Sequence, residues 1–225
     1  MNYYKLKRIC VIIGHYGSGK TNFAVDLAIK SADSGYKTNI VDLDIVNPYF
    51  RTADFKNMFE NKGISMTSSV YAVSNLDIPA ITFDLNSVVS DNQNVIIDVG
   101  GDDAGAVALG QFKSVFAKFK EETDVLYVIN KYRNIAEQPQ KELNLLRDIE
   151  SISRLKATAV INNSNLGAET NIETVMNSLD YAKETAALCG LELKFTTYPD
   201  WINPAVLPND MNFIPVKRYV KPVWE

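Results

Sequence analysis

Eight residues near the start of the chain constrain its fold more than any other stretch. Residues 14–21 read GHYGSGKT and match the pattern G-x-x-x-x-G-K-[ST]. The apolar run Ile9–Ile13 precedes them, and apolar residues at helical spacing follow them as far as Gly35, a typical helix stop. A strand, a glycine-rich turn and a helix in this order gather backbone N–H groups and a helix N-terminus around one point. This arrangement is typical of a loop that binds phosphate groups.

Each part of this loop has an expected role. The glycines let the backbone curl toward phosphate oxygens, Lys20 reaches the β- and γ-phosphates of a nucleotide, and the Thr21 hydroxyl ligates Mg²⁺. We therefore predict that the nucleotide-binding residues include the loop and the residue after it, namely Gly14, His15, Tyr16, Gly17, Ser18, Gly19, Lys20, Thr21 and Asn22.

Strand and helix patterns alternate along the rest of the chain. The patterns predict further strands at Thr38–Leu43, Ser65–Ala72, Val95–Ile97, Val125–Ile129, Ala157–Ile161 and Leu191–Thr196, and helices at Gly105–Phe119, Ile135–Ile152 and Ile172–Leu188. Such alternation predicts a three-layer α/β/α fold with a mainly parallel central sheet. No boundary signal interrupts it, so we expect one domain over residues 1–225, on which residues 199–225 pack as an extended, proline-containing tail.

The composition argues against several classes of function. The net charge of −4 gives no pull toward nucleic acid or an anionic membrane, and no apolar run approaches the length of a membrane span. A single histidine excludes a multi-histidine metal site. Two cysteines without a Cys-x-x-Cys pattern predict buried, reduced thiols in a cytoplasmic protein.

Acidic residues follow two of the predicted strands. Ligands of a parallel sheet bind at the carboxyl ends of its strands, so these residues are expected near the phosphate loop. Asp42 is placed nearer the metal and Asp44 is placed to orient an attacking water, although turn-capping aspartates explain both positions as well. Asp98 closes a strongly apolar strand and is predicted to support the metal through water. The predicted metal ligands are thus Thr21, Asp42 and Asp98, and the predicted catalytic residues are Lys20 and Asp44.

The segment after Asp98 is predicted to respond to the nucleotide. Gly100 and Gly101 permit close backbone approach, so an N–H group at Gly101 is expected to sense the γ-phosphate. For Asp102 and Asp103 we expect capping of the helix that follows.

The residues that recognise the base of the nucleotide are harder to predict from the sequence than those that bind its phosphates. Asn162 and Asn163 follow the sixth strand, and an asparagine amide offers both a donor and an acceptor to the edge of adenine, although turn-forming asparagines are an equal alternative. The guanine-type pattern N-K-x-D is incomplete, because Arg133 stands where its aspartate is expected, and adenine is therefore favoured. Trp201 either closes over the base or belongs to the core.

Together these segments resemble the deviant P-loop ATPases of the MinD/ParA and CobQ/CobB group, of the SIMIBI class of P-loop NTPases. Residues 14–21 resemble their phosphate loop, 42–47 their first switch and 98–101 their second switch, and Asn162 or Asn163 resembles their base-reading asparagine. The resemblance implies ATP and Mg²⁺ as ligands and a nucleotide-dependent switch. Relatives often form face-to-face homodimers around two nucleotides.

One departure from this group concerns His15. Members of the MinD/ParA branch usually carry a lysine there that reaches the partner subunit's phosphates, and a neutral imidazole does not supply that fixed charge. The substitution argues against dimer-dependent activation by that route, and it favours slow hydrolysis or a separate activator. Membrane-targeted relatives end in a basic amphipathic helix, whereas a proline interrupts the basic tail here.

The sequence therefore predicts a cytoplasmic, Mg²⁺-dependent ATP-binding protein with ATPase activity, which acts as a switch. Two alternatives stay open. One is a nucleotide-gated scaffold with negligible hydrolysis, and the other is an ATP-dependent small-molecule kinase or ligase of the CobQ/CobB kind. The expected partners are ATP or ADP, a second copy of the chain and a protein that these residues do not identify.

Overall fold

The computed structural model describes residues 4–44, 56–68, 83–133, 138–209 and 212–220. In these ranges the strands are β1 (Ile9–Ile13), β2 (Thr38–Leu43), β3 (Ile64–Ser68), β4 (Asn94–Val99), β5 (Thr123–Ile129), β6 (Ala159–Asn162), β7 (Glu192–Pro199) and β8 (Phe213–Val216). The helices are α1 (Lys20–Asp33), α2 (Lys56–Asn61), α3 (Leu85–Ser90), α4 (Asp103–Gly110), α5 (Lys113–Lys118), α6 (Pro139–Ser153), α7 (Ile172–Met176) and α8 (Leu179–Cys189).

All described strands lie in one parallel sheet, in the order β3-β2-β4-β1-β5-β6-β7-β8. The order reverses at β1, because β2, β3 and β4 lie on one side of it and β5 to β8 lie on the other. At such a reversal the loops leave the sheet in opposite directions, which opens a crevice at the carboxyl ends of the strands. The loop 14–21 begins at the carboxyl end of β1 and therefore lies at this crevice.

Alternate residues of β1 supply two hydrophobic cores, one on each face of the sheet. Ile9, Val11 and Ile13 pack in a cluster with residues of α3, α4, α6 and α8. Cys10 and Ile12 pack in a second cluster with residues of α1 and α2. This arrangement confirms the predicted three-layer α/β/α fold, and it explains why the central strands are apolar on both faces.

Two of the predicted helices are each divided in two. The segment 105–119 forms α4 and α5, and a Cβ at Gly110, the last residue of α4, would lie only 3.1 Å from the Ile152 carbonyl oxygen of α6. The segment 172–188 forms α7 and α8, because the Ser178 hydroxyl between them donates to the Val175 carbonyl over 2.7 Å. Gly190 ends α8 in the left-handed conformation, with φ of 67°, as predicted. Cys10 is a free, buried thiol, whereas the free thiol of Cys189 is only half-buried.

The tail contains an edge strand that the sequence analysis did not predict. β8 pairs with β7 in parallel, and Pro215 lies within β8. A proline is tolerated there because an edge strand leaves the N–H groups of one side without a strand neighbour. Residues 210–211 and 221–225 of the predicted tail, 45–47 of the predicted first switch, 69–72 of the third predicted strand and 135–137 of a predicted helix lie outside the described residues.

The end of the tail is held against α1. Asn22 Oδ1 accepts hydrogen bonds from the backbone N–H groups of Tyr219 and Val220 over 2.7 and 3.0 Å, and Asp26 Oδ1 accepts from that of Lys217 over 3.0 Å. The tail therefore packs beside the helix that follows the phosphate loop. Within the described ranges, no helix has the length and apolar character needed to cross a membrane.

Candidate functional site

The loop 14–21 adopts a backbone conformation that only glycine fits at two of its positions. Gly14 has φ of 148°, and a side chain there would overlap the Val128 carbonyl of the neighbouring β5. Gly19 has φ of 86°, and a side chain there would overlap the amide nitrogen of Asn163. The close packing of Val128 against Gly14 and of Asn163 against Gly19 therefore requires glycine at both positions of the motif.

The N-terminus of α1 is open toward the loop. Gly19 is its N-cap residue, and no side chain within the described part of the chain caps this end. The first N–H groups of a helix carry partial positive charge and need acceptors, so an uncapped N-terminus favours an anion. Lys20, the first residue of α1, donates from Nζ to the His15 carbonyl oxygen over 2.9 Å.

A cavity of about 580 Å³ lies over this helix end. It is bounded by the phosphate loop, by the loop 163–167 after β6 and by residues from β7 to the tail. The charged residues that line it in the described part of the chain are three cations and one acid, namely Lys20, Arg133, Arg218 and Asp44. A chain with a net charge of −4 thus presents a locally cationic cavity, which suits an anionic ligand.

Asp98 and Asp42 lie next to each other at the edge of this site. They are register partners on β4 and β2, and both are buried. Burial, and then the charge of Asp42, raises the pKa of Asp98 to about 8, although Thr21 and Lys20 lower it. Neither carboxylate oxygen of Asp98 has a hydrogen bond of normal geometry within the described chain, although the Thr21 hydroxyl lies close enough to lower the Asp98 pKa. A buried carboxylate without donors is the kind of group that a bound cation would satisfy.

Lys20 is buried beside these acids. Burial lowers its pKa, while Asp98, Asp44 and Asp102 act in the opposite direction. A Cβ at Gly101 would lie 2.7 Å from Lys20 Nζ, so the segment after β4 closely approaches the lysine. The structure therefore brings Lys20, Asp44, Asp98 and Gly101 together, as the sequence analysis expected of one site.

Among the described residues, no group of three or more histidine, cysteine or acidic side chains forms a metal site by itself. Mg²⁺ usually takes one or two protein ligands and completes its shell with phosphate and water. Asp42 also makes a hydrogen bond within the protein, since its Oδ1 accepts from the Asp44 N–H over 2.9 Å. Thr21 and Asp98 are therefore the better placed of the three predicted ligands.

The two asparagines predicted to read the base form part of the scaffold. Asn162 has no exposed surface and does not line the cavity. Its amide nitrogen donates to the hydroxyls of Ser178 and Thr196 over 2.9 and 3.3 Å, and its oxygen accepts from Ser164. This corrects the prediction for Asn162, because its donors and acceptor are already engaged.

Asn163 borders the cavity but supports the phosphate loop. Its amide nitrogen donates to the Ser18 carbonyl over 2.8 Å, and its oxygen accepts from the Thr197 hydroxyl over 2.6 Å. Asn163 is thus a brace between β6, β7 and the loop, and its predicted base contact stays a prediction. The amide of Asn22 is likewise engaged by the tail, which leaves its backbone for a ligand.

The cavity does not reach every residue of the loop. Gly14, His15 and Ser18 do not line the cavity, and His15 and Ser18 are almost fully buried. The His15 ring lies 3.4 Å from the Glu142 carboxylate, and its backbone carbonyl holds Lys20. Tyr16 does line the cavity and is 63% exposed.

Arg133 is a site residue that the sequence analysis noted only for its place in an incomplete motif. Its Nε donates to the Gly17 carbonyl oxygen over 2.8 Å. Asn130 of the same motif is buried, and its amide joins the loops after β5 and β6 through Tyr132 and Asn165. The sequence contained no signal for the contacts with Gly17 and Asn165, because these partners lie 116 and 35 residues away along the chain.

No protein-family model matches the chain, and no curated protein matches it. Among solved structures, signal recognition particle 54 kDa protein from Aeropyrum pernix K1 in complex with GDP is 21% identical with a TM-score of 0.55, over 85% of this chain and 41% of that one. FtsY from Mycoplasma mycoides is 18% identical with a TM-score of 0.56, over 88% and 61%. FlhF complexed with GTP/Mg(2+) is 14% identical with a TM-score of 0.53, over 85% and 65%.

These likenesses establish the fold of the chain. It has the three-layer α/β/α architecture of P-loop NTPases, and it spans 41% to 65% of the length of these three proteins. The resemblance to the MinD/ParA and CobQ/CobB group stays a prediction.

Proposed function

We propose that the protein binds ATP with Mg²⁺ in the cavity over α1 and hydrolyses it as a nucleotide-dependent switch. The observation that carries the proposal is the uncapped N-terminus of α1 inside a cavity lined by three cations. Backbone N–H groups, the helix dipole and Lys20 then converge on one anionic group. A polyphosphate is the ligand that uses all three together.

The roles follow from where each side chain lies. Lys20 moves from the His15 carbonyl to the β- and γ-phosphates, Thr21 ligates Mg²⁺, and Asp98 supports the ion. The ion supplies charge neutralisation on the β- and γ-phosphate oxygens. Asp44 lines the cavity on the same side and orients the attacking water. Gly101, next to Lys20 Nζ, offers its N–H group to the γ-phosphate.

We propose adenine rather than guanine as the base because of the charged residues that line the cavity. Guanine presents amino and imino donors that usually pair with a carboxylate, and Asp44, beside the phosphate loop, is the one acid among the described lining residues. Arg133 stands where a guanine-type motif carries its aspartate. Trp201, half exposed and held by a hydrogen bond from Nε1 to the Thr170 carbonyl over 3.2 Å, offers a face for stacking the base.

Calorimetric titration with ATP, GTP and inorganic triphosphate, each with Mg²⁺, tests this proposal. We expect ATP to bind more tightly than GTP, and Lys20→Ala to weaken ATP binding at least about 100-fold, because it removes the buried cation beside the phosphates. Lys183→Ala, an exposed lysine on α8, serves as the matched control. Unchanged affinity in Lys20→Ala would refute the phosphate site, and tighter binding of GTP would refute the choice of base.

A nucleotide-gated scaffold with negligible hydrolysis is the second candidate. The burial of His15 favours it, because this side chain is not available to act on phosphates in the cavity. Phosphate release from ATP by the purified protein, measured beside Asp44→Asn, separates the two functions. Turnover that depends on Asp44 supports the ATPase, and tight binding without turnover supports the scaffold.

A further inference from the structure

A buried carboxylate lies directly behind the phosphate loop. Glu142, in the first turn of α6, has no exposed surface, and His15 is 3% exposed. Glu142 Oε1 lies 3.4 Å from His15 Nε2, and this buried nitrogen makes no hydrogen bond of normal geometry within the described chain. Neither side chain lines the cavity, so the proposed ATPase chemistry uses neither of them directly.

Tyrosines from two other elements hold this carboxylate. Tyr181 on α8 donates to Glu142 Oε1 over 3.0 Å, and the hydroxyl of Tyr127 on β5 is hydrogen-bonded to Oε2. Burial, and then the Glu142 charge, raises the pKa values of Tyr127 and Tyr181, so both hydroxyls keep their protons. Donated hydrogen bonds stabilise the ionised form of a buried carboxyl, and so does its position in the first turn of a helix.

The hydrogen-bond partners of the His15 ring indicate its charge. Nδ1 lies 2.9 Å from the Tyr16 carbonyl oxygen, which can only accept, so Nδ1 carries a hydrogen. Without a proton on Nε2, the lone pair of that nitrogen would face a carboxylate oxygen in a buried site. A proton on Nε2 removes this repulsion and places a cation beside the anion, which is how proteins accommodate a buried charge.

Few other titratable groups compete for this role. In the described chain, the half-buried Cys189 also interacts with Glu142, and burial and then Glu142 raise its pKa to about 11, so it stays a neutral thiol. Two further charged residues, Glu150 and Arg147, influence the pKa of Cys189. His15 is therefore the group that balances the Glu142 charge.

His15 connects this pair to the phosphate lysine. Its backbone carbonyl accepts from Lys20 Nζ over 2.9 Å and from the Ser18 N–H over 3.3 Å. A movement of the imidazole therefore shifts the peptide that positions both Lys20 and the turn of the loop. The side chain and the carbonyl of one residue thus join α6 to the proposed nucleotide site.

We propose that His15 is an imidazolium paired with Glu142, and that Glu142 is a positioning residue that acts through His15 on the loop 14–21. The inference rests on the proposed nucleotide binding. It also gives His15 a role unlike that of a lysine reaching a partner subunit, because its charge is balanced inside its own chain.

The ring of His15 can be observed directly. It is the single histidine of the chain, so the imidazole signals of untagged, ¹⁵N-labelled protein belong to it without assignment. We expect both ring nitrogens to be protonated in the native protein. In Glu142→Gln we expect one of the two nitrogens to lose its proton.

The positioning role is tested by ATP·Mg²⁺ titration of full-length variants. We expect Glu142→Gln to weaken binding about tenfold, a typical coupling between sites. Asp148→Asn, which removes an exposed carboxylate from the same helix, should leave the affinity unchanged. Because both residues act through one contact, His15→Asn combined with Glu142→Gln should be no weaker than His15→Asn alone.

Tyr181→Phe provides a second route if Glu142→Gln does not fold, because it removes one donor and keeps the ring. It should weaken binding about two- to threefold. A neutral His15 in the native protein, or native affinity in the folded Glu142 and Tyr181 variants, would overturn the inference. Failure of the native protein to bind any nucleotide would overturn the proposed function instead, and the ring signals would still decide the ion pair.

Discussion

The phosphate end and the base end of the cavity differ in how their polar groups are satisfied. At the phosphate end, the two buried oxygens of Asp98 have no hydrogen bond of normal geometry from the described residues, and burial lowers the pKa of Lys20. In the loop after β6, where the base-reading asparagines were predicted, the amides of Asn162 and Asn163 hydrogen-bond to neighbouring residues. Unsatisfied buried groups mark the place where a ligand completes the protein, whereas satisfied ones mark the scaffold that holds it.

The largest effect is expected at the phosphate end, from Asp44→Asn. It should lower ATP turnover about 100-fold or more, because an amide orients an attacking water less well than a carboxylate. Binding should change little, since the phosphate contacts remain. Phosphate-release kinetics and titration measure the two effects, with Asp103→Asn, an exposed acid of α4, as the control. Undiminished turnover would remove Asp44 from the mechanism.

Asp98→Asn tests whether the unsatisfied carboxylate destabilises the ligand-free protein. With a pKa near 8, the native carboxyl keeps a proton that the unfolded chain has already released, so native stability falls as the pH rises toward about 8. The amide does not ionise. We therefore expect the variant to be more stable than the native protein at pH 9, by about 1–3 kcal/mol, and to differ less at pH 6.

Urea denaturation of both proteins at the two pH values measures this difference. Mg²⁺ should add less stability to the ATP-bound variant than to the ATP-bound native protein, because the amide lacks the charge that supports the ion. An equal difference in unfolding free energy at both pH values would show that Asp98 does not titrate in this range.

Replacing Asn162 or Asn163 should have different effects from replacing Asp44 or Asp98. Asn162→Ala should lower the free energy of unfolding by about 2 kcal/mol, because buried hydroxyls lose their partner, and should leave ATP affinity unchanged. Asn163→Ala should also weaken ATP binding, since it removes the brace on the Ser18 carbonyl. A selective loss of ATP over inorganic triphosphate in Asn162→Ala would restore its predicted role in base recognition.

The smallest effect is expected from Trp201, whose contact with the base rests on stacking. Trp201→Ala should weaken ATP binding about fivefold and leave inorganic triphosphate unaffected, because stacking contributes about 1 kcal/mol. Trp201→Phe should restore most of the affinity, since it keeps an aromatic face. Equal losses for both ligands would place the tryptophan outside the base site.

Features that depend on neighbouring residues in the chain were predictable. The loop 14–21, the stop at Gly190 and the cap by Asp102, whose side chain accepts from the Gly105 N–H over 2.9 Å, depend on local backbone chemistry. The parallel sheet was also predictable, because strands buried on both faces are apolar throughout. The break between α4 and α5 was not predictable, because it lies at Gly110, which packs against α6, an element distant along the chain.

The sequence by itself determined where this chain can hold a phosphate, because glycines, a lysine and a helix start within eight residues define that cradle locally. Only the tertiary structure decided which other polar side chains serve the ligand and which serve the fold. Asn163 and Ser18 are 145 residues apart, and Tyr181 and Glu142 are 39 apart. A side chain can turn toward a ligand only if no partner from a distant element has already taken its donors and acceptors, and the sheet order decides which elements meet.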